Sequence, residues 1–209
     1  MTGSAPQKVC RLLAHLLTHP STVPRYLRKS LVTRKTPLDF ELPWMSFAVI
    51  DFLAEYLKPH MTVFEYGSGG STLFFARRTS RVFSVEDNPE WHSLVQDRIE
   101  KEGLLNATIQ LKPFDFWNPD TFDRSEYLNA LPSEPFDVYV VDGQEGSQQV
   151  RPTCFHHIEK NVKPGAIIVI DDSWRYISLR TENRAKKVES FVSVGPCRMG
   201  VTSTDVYFY

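Results

Sequence analysis

A chain of 209 residues with a hydrophobic fraction of 42% is long enough for one globular α/β domain with a full core. Its formal charge of −1 gives no overall pull towards nucleic acid or anionic membrane. Three scattered cysteines, Cys10, Cys154 and Cys197, lack the spacing of a zinc site or a disulfide framework, which points to a reducing, cytoplasmic setting.

The first 38 residues carry Lys8, Arg11, Arg25, Arg28, Lys29, Arg34 and Lys35 and no Asp or Glu. Within them 9–17 is apolar but interrupted by Arg11 and His15, too short and too charged to span a membrane and lacking a convincing secretory cleavage pattern. A solvated amphipathic helix lying on the domain is the favoured reading. An organelle transit peptide, or a patch for a membrane surface or an acidic substrate, are the alternatives. The division that follows is a basic helical extension over 1–42 and the main domain over 43–209. A second helix is predicted from Pro43 to Lys58-Pro59, with Phe47, Ile50, Leu53, Ala54 and Leu57 at helical spacing.

The stretch over 62–88, TVFEYGSGGSTLFFARRTSRVFSVEDN, reads as strand, tight turn, helix and second strand. Gly67, Gly69 and Gly70 stand where the backbone bends and where a ligand can approach without meeting a Cβ. A phosphate site would want a further glycine near position 72 or a Gly-Lys-Ser/Thr ending, but Thr72 stands there and no Lys follows. Glu65 before the turn repels pyrophosphate and favours a cation, and Glu86, about 20 residues on, can accept from both ribose hydroxyls. A ribose-bearing, phosphate-free, positively charged cofactor fits, which suggests S-adenosylmethionine (SAM).

At these residues the chain resembles the class I SAM-dependent methyltransferases. Their first motif, an acid, a spacer and Gly-x-Gly, is matched by Glu65-Tyr66-Gly67-Ser68-Gly69, and their second acidic position by Glu86. The resemblance implies a Rossmann-like α/β fold: a seven-stranded, mostly parallel sheet with helices on both faces, here behind an N-terminal helical extension. It also implies cofactor contacts from Ser71, Asp87 and Asp142. Trp44, in the irregular piece over 37–45, becomes either part of a lid or a core anchor.

Beyond Pro89 a helix with Trp91, Leu94, Val95 and Ile99 on one stripe runs to Gly103, and Trp91 either stacks near adenine or packs in the core. The third strand is 107–111. After it, by resemblance, Asp115 with Phe114 or Phe116 receives the adenine amino group, a carboxylate accepting from an amine. The segment 118–135 reads as a long loop with one short helix, either bordering the acceptor or a surface insertion.

FDVYVVD over 136–142 is a central fourth strand ending in Asp142, and 166–170 a fifth ending in Asp171-Asp172, with a helix over about 147–161 between them. Parallel strands end at one edge, so Glu65, Glu86, Asp142 and Asp171 should converge there. This looks like the metal-dependent O-methyltransferases of the catechol and macrocin types, in which Asp142, Asp171 and Asp172 would hold Mg²⁺. The catechol type's base Lys near the end of strand four has no counterpart in Gly143-Gln144-Glu145-Gly146. A metal-free alternative uses Asp142, Asp171 or His156 as base. Asp172 could instead cap the helix that opens at Ser173, and Arg151 reads as a solvated helix face. Trp174, Arg175 and Tyr176 are candidates for the acceptor pocket. Two closing strands, 188–194 and 201–209, complete the sheet by analogy.

The expected activity is methyl transfer from SAM to a small-molecule acceptor, preferably a hydroxyl oxygen, with Mg²⁺ optional. A nucleic-acid acceptor is disfavoured by the charge balance and by the lack of an Asn/Asp-Pro-Pro-aromatic motif. No membrane span is expected, and the sequence leaves the oligomer open, a homodimer being one option. The alternatives are a SAM- or NAD-binding Rossmann enzyme of another reaction class, or a non-catalytic binding protein with a degenerate site.

Overall fold

Seven strands form a single sheet: β1 (Thr62–Tyr66), β2 (Arg81–Glu86), β3 (Ala107–Leu111), β4 (Val138–Val141), β5 (Ile167–Ile170), β6 (Lys187–Val194) and β7 (Val201–Phe208). In this computed structural model, which describes residues 4–147 and 149–209, their order is β3-β2-β1-β4-β5-β7-β6. Residues 1–3 of the expected extension and Gln148 in the expected fourth-strand helix lie outside the described residues. β1 to β5 pair in parallel, and β7 runs antiparallel to both β5 and β6. This is the predicted Rossmann-like sheet, including its antiparallel closure.

The central strands are short and apolar on both faces because helices cover both. VYVV of β4 and IIVI of β5 are wholly buried. Their residues alternate between two cores: Phe64, Tyr139, Val141 and Ile168 on one face, Val63, Val138, Val140 and Ile167 on the other. The chain order along the sheet reverses between β1 and β4, and a crevice opens at that point beyond the strand ends.

Before β1 come the α-helices α1 (Ala5–Thr18), α2 (Val23–Tyr26), α3 (Pro37–Phe40) and α4 (Phe47–Tyr56). α4 begins later than Pro43 because Ser46 is its cap, its hydroxyl accepting from the Val49 amide at 3.3 Å. The crossovers are α5 (Gly70–Ala76), α6 (Pro89–Lys101) and α7 (Val150–Glu159). Asn88 caps α6 by accepting from the Trp91 amide at 2.9 Å. The segment 118–135 is no open loop: two short 3-10 helices bury Phe122, Tyr127 and Leu128 in the core.

The N-terminal segment is tied to this frame. Tyr26 is fully buried, and Leu12 and Leu16 pack on the same core face as α4. Gly70, which opens α5, lets the chain over 37–42 pass close by: a Cβ there would lie 2.4 Å from the carbonyl oxygens of Pro37 and Leu42. Backbone cannot give way as a side-chain tip can, so Gly70→Ala is expected to cost about 1–3 kcal/mol of stability. A urea midpoint that matches wild type would refute this.

Candidate active site

The crevice has a volume of about 1180 Å³ and is walled by the chain just beyond β1, β2, β4 and β5, with Lys35–Pro37, Trp44 and Arg198 closing one side. Its floor is the turn after β1. Gly67 takes a φ of +103°, and a Cβ there would sit 3.0 Å from the Gly143 amide, so the close approach of the chain beyond β1 to that beyond β4 suits a glycine at 67.

Glu65, expected at the ligand, lies beneath the turn instead. It is 1% exposed and accepts from the hydroxyls of Ser71 (2.8 Å), Ser84 (2.6 Å) and Thr72. Thr72 in turn accepts from the Gly69 amide at 3.0 Å, so the buried carboxyl anchors both the turn and the start of α5. Tyr66 is likewise corrected: alternation sends its ring into the opposite core, where the phenol donates to the Leu128 carbonyl at 2.6 Å. Neither side chain lines the crevice.

Glu86 does line it. One carboxylate oxygen accepts from Ser68 Oγ at 2.7 Å and the other from the Asp87 and Asn88 amides at 3.2 and 3.0 Å. Asp87 stands beside it, its pKa pushed up to about 6 by burial and by the charge of Glu86. Trp91 reaches over the turn, its indole donating to the Ser68 carbonyl at 2.9 Å, and a Cβ on Gly69 would lie 3.5 Å from its ring. Ser71, Asp115 and Phe116 also line this half; Asp115 accepts from the Trp117 amide at 3.0 Å and Phe116 is rooted in the core.

The other half holds Asp142, Asp171 and Asp172 together with Arg151, Arg198 and, 3.8 Å from Asp172, Arg175. Arg151 is buried rather than solvated. It donates to the Gly143 and Asp171 carbonyls at 3.0 Å each and pairs with the Asp142 carboxylate at 3.1 Å. Arg198, on the turn between β6 and β7, lies 3.0 Å from Asp172 and 3.6 Å from Asp171. Burial and the charge of Asp171 push Asp142 up, and burial with Asp172 pushes Asp171 up to about 6. Burial alone would raise Asp172 too, but Arg198 and Arg151 carry it below the usual range.

The expected Mg²⁺ set therefore does not fit. A hard cation needs carboxylate oxygens turned together with their charge uncompensated, whereas guanidinium groups already stand on these. Among the described residues no group of three His, Cys, Asp or Glu side chains is placed to hold a metal ion. Asp172 does stand at the N-cap position of a 3-10 helix over Ser173–Arg175, but its side chain makes no cap bond. At a left-handed φ of 51° its carboxylate accepts from Thr202 at 2.9 Å and from the Trp174 indole at 3.2 Å. His156 is exposed on α7, paired with Glu159 at 3.1 Å and outside the crevice.

Trp44 is 53% exposed on the rim, its carbonyl accepting from Arg198 at 3.2 Å, and its neighbour Met45 is the buried one. Arg175 and Tyr176 line the wall, Tyr176 donating to Glu145 at 3.0 Å. No motif spacing marks Arg198, because only the β6–β7 hairpin carries it to the other strand ends. Arg151 had one signal, its place near the start of the helical segment that follows Asp142-Gly143.

The profile of a family described as a methyltransferase domain matches residues 64–173, the span from β1 to the acids after β5. The chain belongs to that family. It carries a methyltransferase domain on a Rossmann-like fold. A probable cobalt-precorrin-6B C(15)-methyltransferase (decarboxylating) of Methanothermobacter thermautotrophicus is 29% identical over 104 residues, 50% of this chain. That match covers 47% of the relative, so the chain spans about half the length of the curated protein it matches. A putative O-methyltransferase from Klebsiella pneumoniae shares the fold at a TM-score of 0.62 and 16% identity, over 93% of this chain and 99% of that one. The O-methyltransferase TomG from Streptomyces achromogenes, solved with SAM, superposes at 0.60 with 17% identity over 90% and 96%.

The methyltransferase's buried Glu65 carries a pH signature. Burial raises its pKa from 4.5 to about 7 despite the three hydroxyls, so the folded chain favours the protonated form. That contribution to stability is complete below 4.5 and is lost as pH rises through 7, roughly 3 kcal/mol over the window. Relative to wild type, Glu65→Gln should therefore gain stability as pH rises across it. Urea unfolding on either side of the window measures this, and a constant difference between the two proteins would contradict it.

Proposed function

We propose that the chain transfers the methyl group of SAM to a hydroxyl oxygen of a small-molecule acceptor. One observation carries the cofactor assignment: Glu86 presents a buried carboxylate on the crevice wall directly beside the glycine turn, with Asp87 next to it. That pairing suits ribose hydroxyls and a cationic ligand and opposes the pyrophosphate of a dinucleotide. Gly67, Ser68, Gly69 and Ser71 would border the cofactor's chain, with Trp91 flanking it and Asp115 and Phe116 towards the base. Glu65 and Tyr66 would act from behind, one holding the turn and the other the packing under it. SAM supplies a methyl group already activated on a sulfonium, so the protein's main task is to bring the acceptor oxygen into line.

The acceptor would lie over β4 and β5, between Asp142, Asp171 and the aromatic rim. Asp142 is the preferred base. Its raised pKa makes it a better proton acceptor than an ordinary carboxylate, and Arg151 fixes its orientation. As the acceptor oxygen bonded to the methyl carbon and the carbon–sulfur bond broke to leave S-adenosylhomocysteine, the hydroxyl proton would pass to the Asp142 carboxylate. Asp171, more deeply buried and held by Thr204 at 2.5 Å, would orient rather than accept. Mg²⁺ has no part in this scheme, because the carboxylates proposed for it are paired with arginine.

Calorimetry with S-adenosylhomocysteine tests the cofactor assignment. Glu86→Ala should bind it at least about tenfold more weakly than wild type, the size of a lost hydrogen bond to a charged group. Absence of heat with wild type would defeat the proposal. For the base, methyl transfer to a panel of alcohols and phenols should rise with pH as Asp142 ionises. Asp142→Asn should lose that limb and about 10²-fold in kcat while still binding S-adenosylhomocysteine. An unchanged pH profile would remove Asp142 from the role.

A further inference from the structure

The N-terminal segment has an outward face that the methyltransferase site does not use. On α1, Leu12 and Leu16 pack on the core, while Val9, Leu13 and Leu17 remain 49%, 55% and 81% exposed. At 100° per residue these five positions form one apolar arc, and the domain covers only one edge of it. Farther along the segment Leu27, Leu31 and Val32 are exposed as well, Val32 by 82%.

Charge says what would cover such a face. The first 38 residues hold seven Lys or Arg and no acid. Arg25 is committed to Asp51 at 2.6 Å, and Lys29 lies over the Phe40 ring, but Lys8, Arg28, Arg34 and Lys35 stand exposed. A second copy of the chain would set this acid-free segment against itself across a two-fold axis, and like charges oppose that. Nucleic acid would meet the cations yet leave the apolar row in water. An anionic bilayer satisfies both: acyl boundary for the leucines, lipid phosphates for the lysines and arginines.

We infer that residues 5–35 dock the protein on an anionic lipid surface, with Val9, Leu13 and Leu17 entering the interface. This is attachment in the plane of the surface; among the described residues no helix is long and apolar enough to cross a membrane. The docking segment leads directly to the crevice. The Cys197 amide donates to the Lys29 carbonyl at 3.0 Å, Ser30 Oγ donates to the Gly195 carbonyl at 2.8 Å, and Lys35 with Pro37 forms part of the rim. The docking segment thereby runs along the chain into one side of the site.

Co-sedimentation of the full chain with vesicles tests the inference. Binding to phosphatidylserine/phosphatidylcholine vesicles should exceed binding to phosphatidylcholine alone by roughly tenfold or more and weaken in high salt. Leu13→Glu with Leu17→Glu, and separately Arg28→Glu with Arg34→Glu, should each reduce it by about tenfold, with thermal melting unchanged as the control for folding. No sedimentation with the anionic vesicles, or equal binding to both kinds, would overturn the inference. So would a solution dimer that the paired leucine substitutions dissolve, or retention of RNA in place of vesicles.

Discussion

A buried carboxyl under a glycine turn is the constraint on which the site rests. Glu65 gathers hydroxyls from Ser71 and Thr72 at the start of α5 and from Ser84 on β2, and so joins the first strand, the first crossover and the second strand at one point. With the turn held there, Gly67 can press against Gly143, and β1 and β4 end side by side where the sheet order reverses. The crevice is a consequence of that junction. Glu86, one strand over, is left to face it.

The second half of the site is governed by compensation of charge. Asp171 and Asp172 lie close enough to push Asp142 up, and Asp172 to push Asp171 up, and in low dielectric such a cluster is tolerable only with counter-charges. Arg151 provides one from α7, clamping the carbonyls of Gly143 and Asp171 as it does so. Arg198 provides the other from the far hairpin. Behind them β7 offers Thr202 to Asp172 and Thr204 to Asp171, so the antiparallel strand that closes the sheet also supports this half of the crevice. This arrangement gives a polar, nearly neutral wall where a metal centre would need exposed negative charge.

The N-terminal segment joins the two halves to the outside. Its inner edge is part of the domain core through Tyr26, Leu12 and Leu16, and its end at Lys35–Pro37 borders the crevice. Packing of 37–42 against Gly70 ties it to the start of α5, the same place that Glu65 holds from below. A displacement of the segment is therefore felt at the glycine turn through backbone contacts.

Alternation, glycine placement and strand-end acids are local properties, and they were enough to specify the β-α-β unit over 62–88, the buried central strands and the side of the sheet that carries the site. They also indicated Glu86, whose position at a strand end leaves little choice of neighbours. Which way Glu65 and Tyr66 point was open to the same alternation rule, but the acid's partners, three hydroxyls brought in from a helix and a second strand, are visible only once those elements pack. Asp171 and Asp172 looked like metal ligands because their counter-ion comes from a hairpin that begins well after them, at a separation no motif spans. His156 faces outward because α7 buries Val150, Arg151, Cys154 and Phe155 instead, a choice made by the sheet it lies on. The sequence by itself determined the strands, the turn and the chemistry of their ends; the tertiary structure alone decided which charges are neutralised and which groups reach the crevice, because both depend on residues that meet only when distant segments fold together.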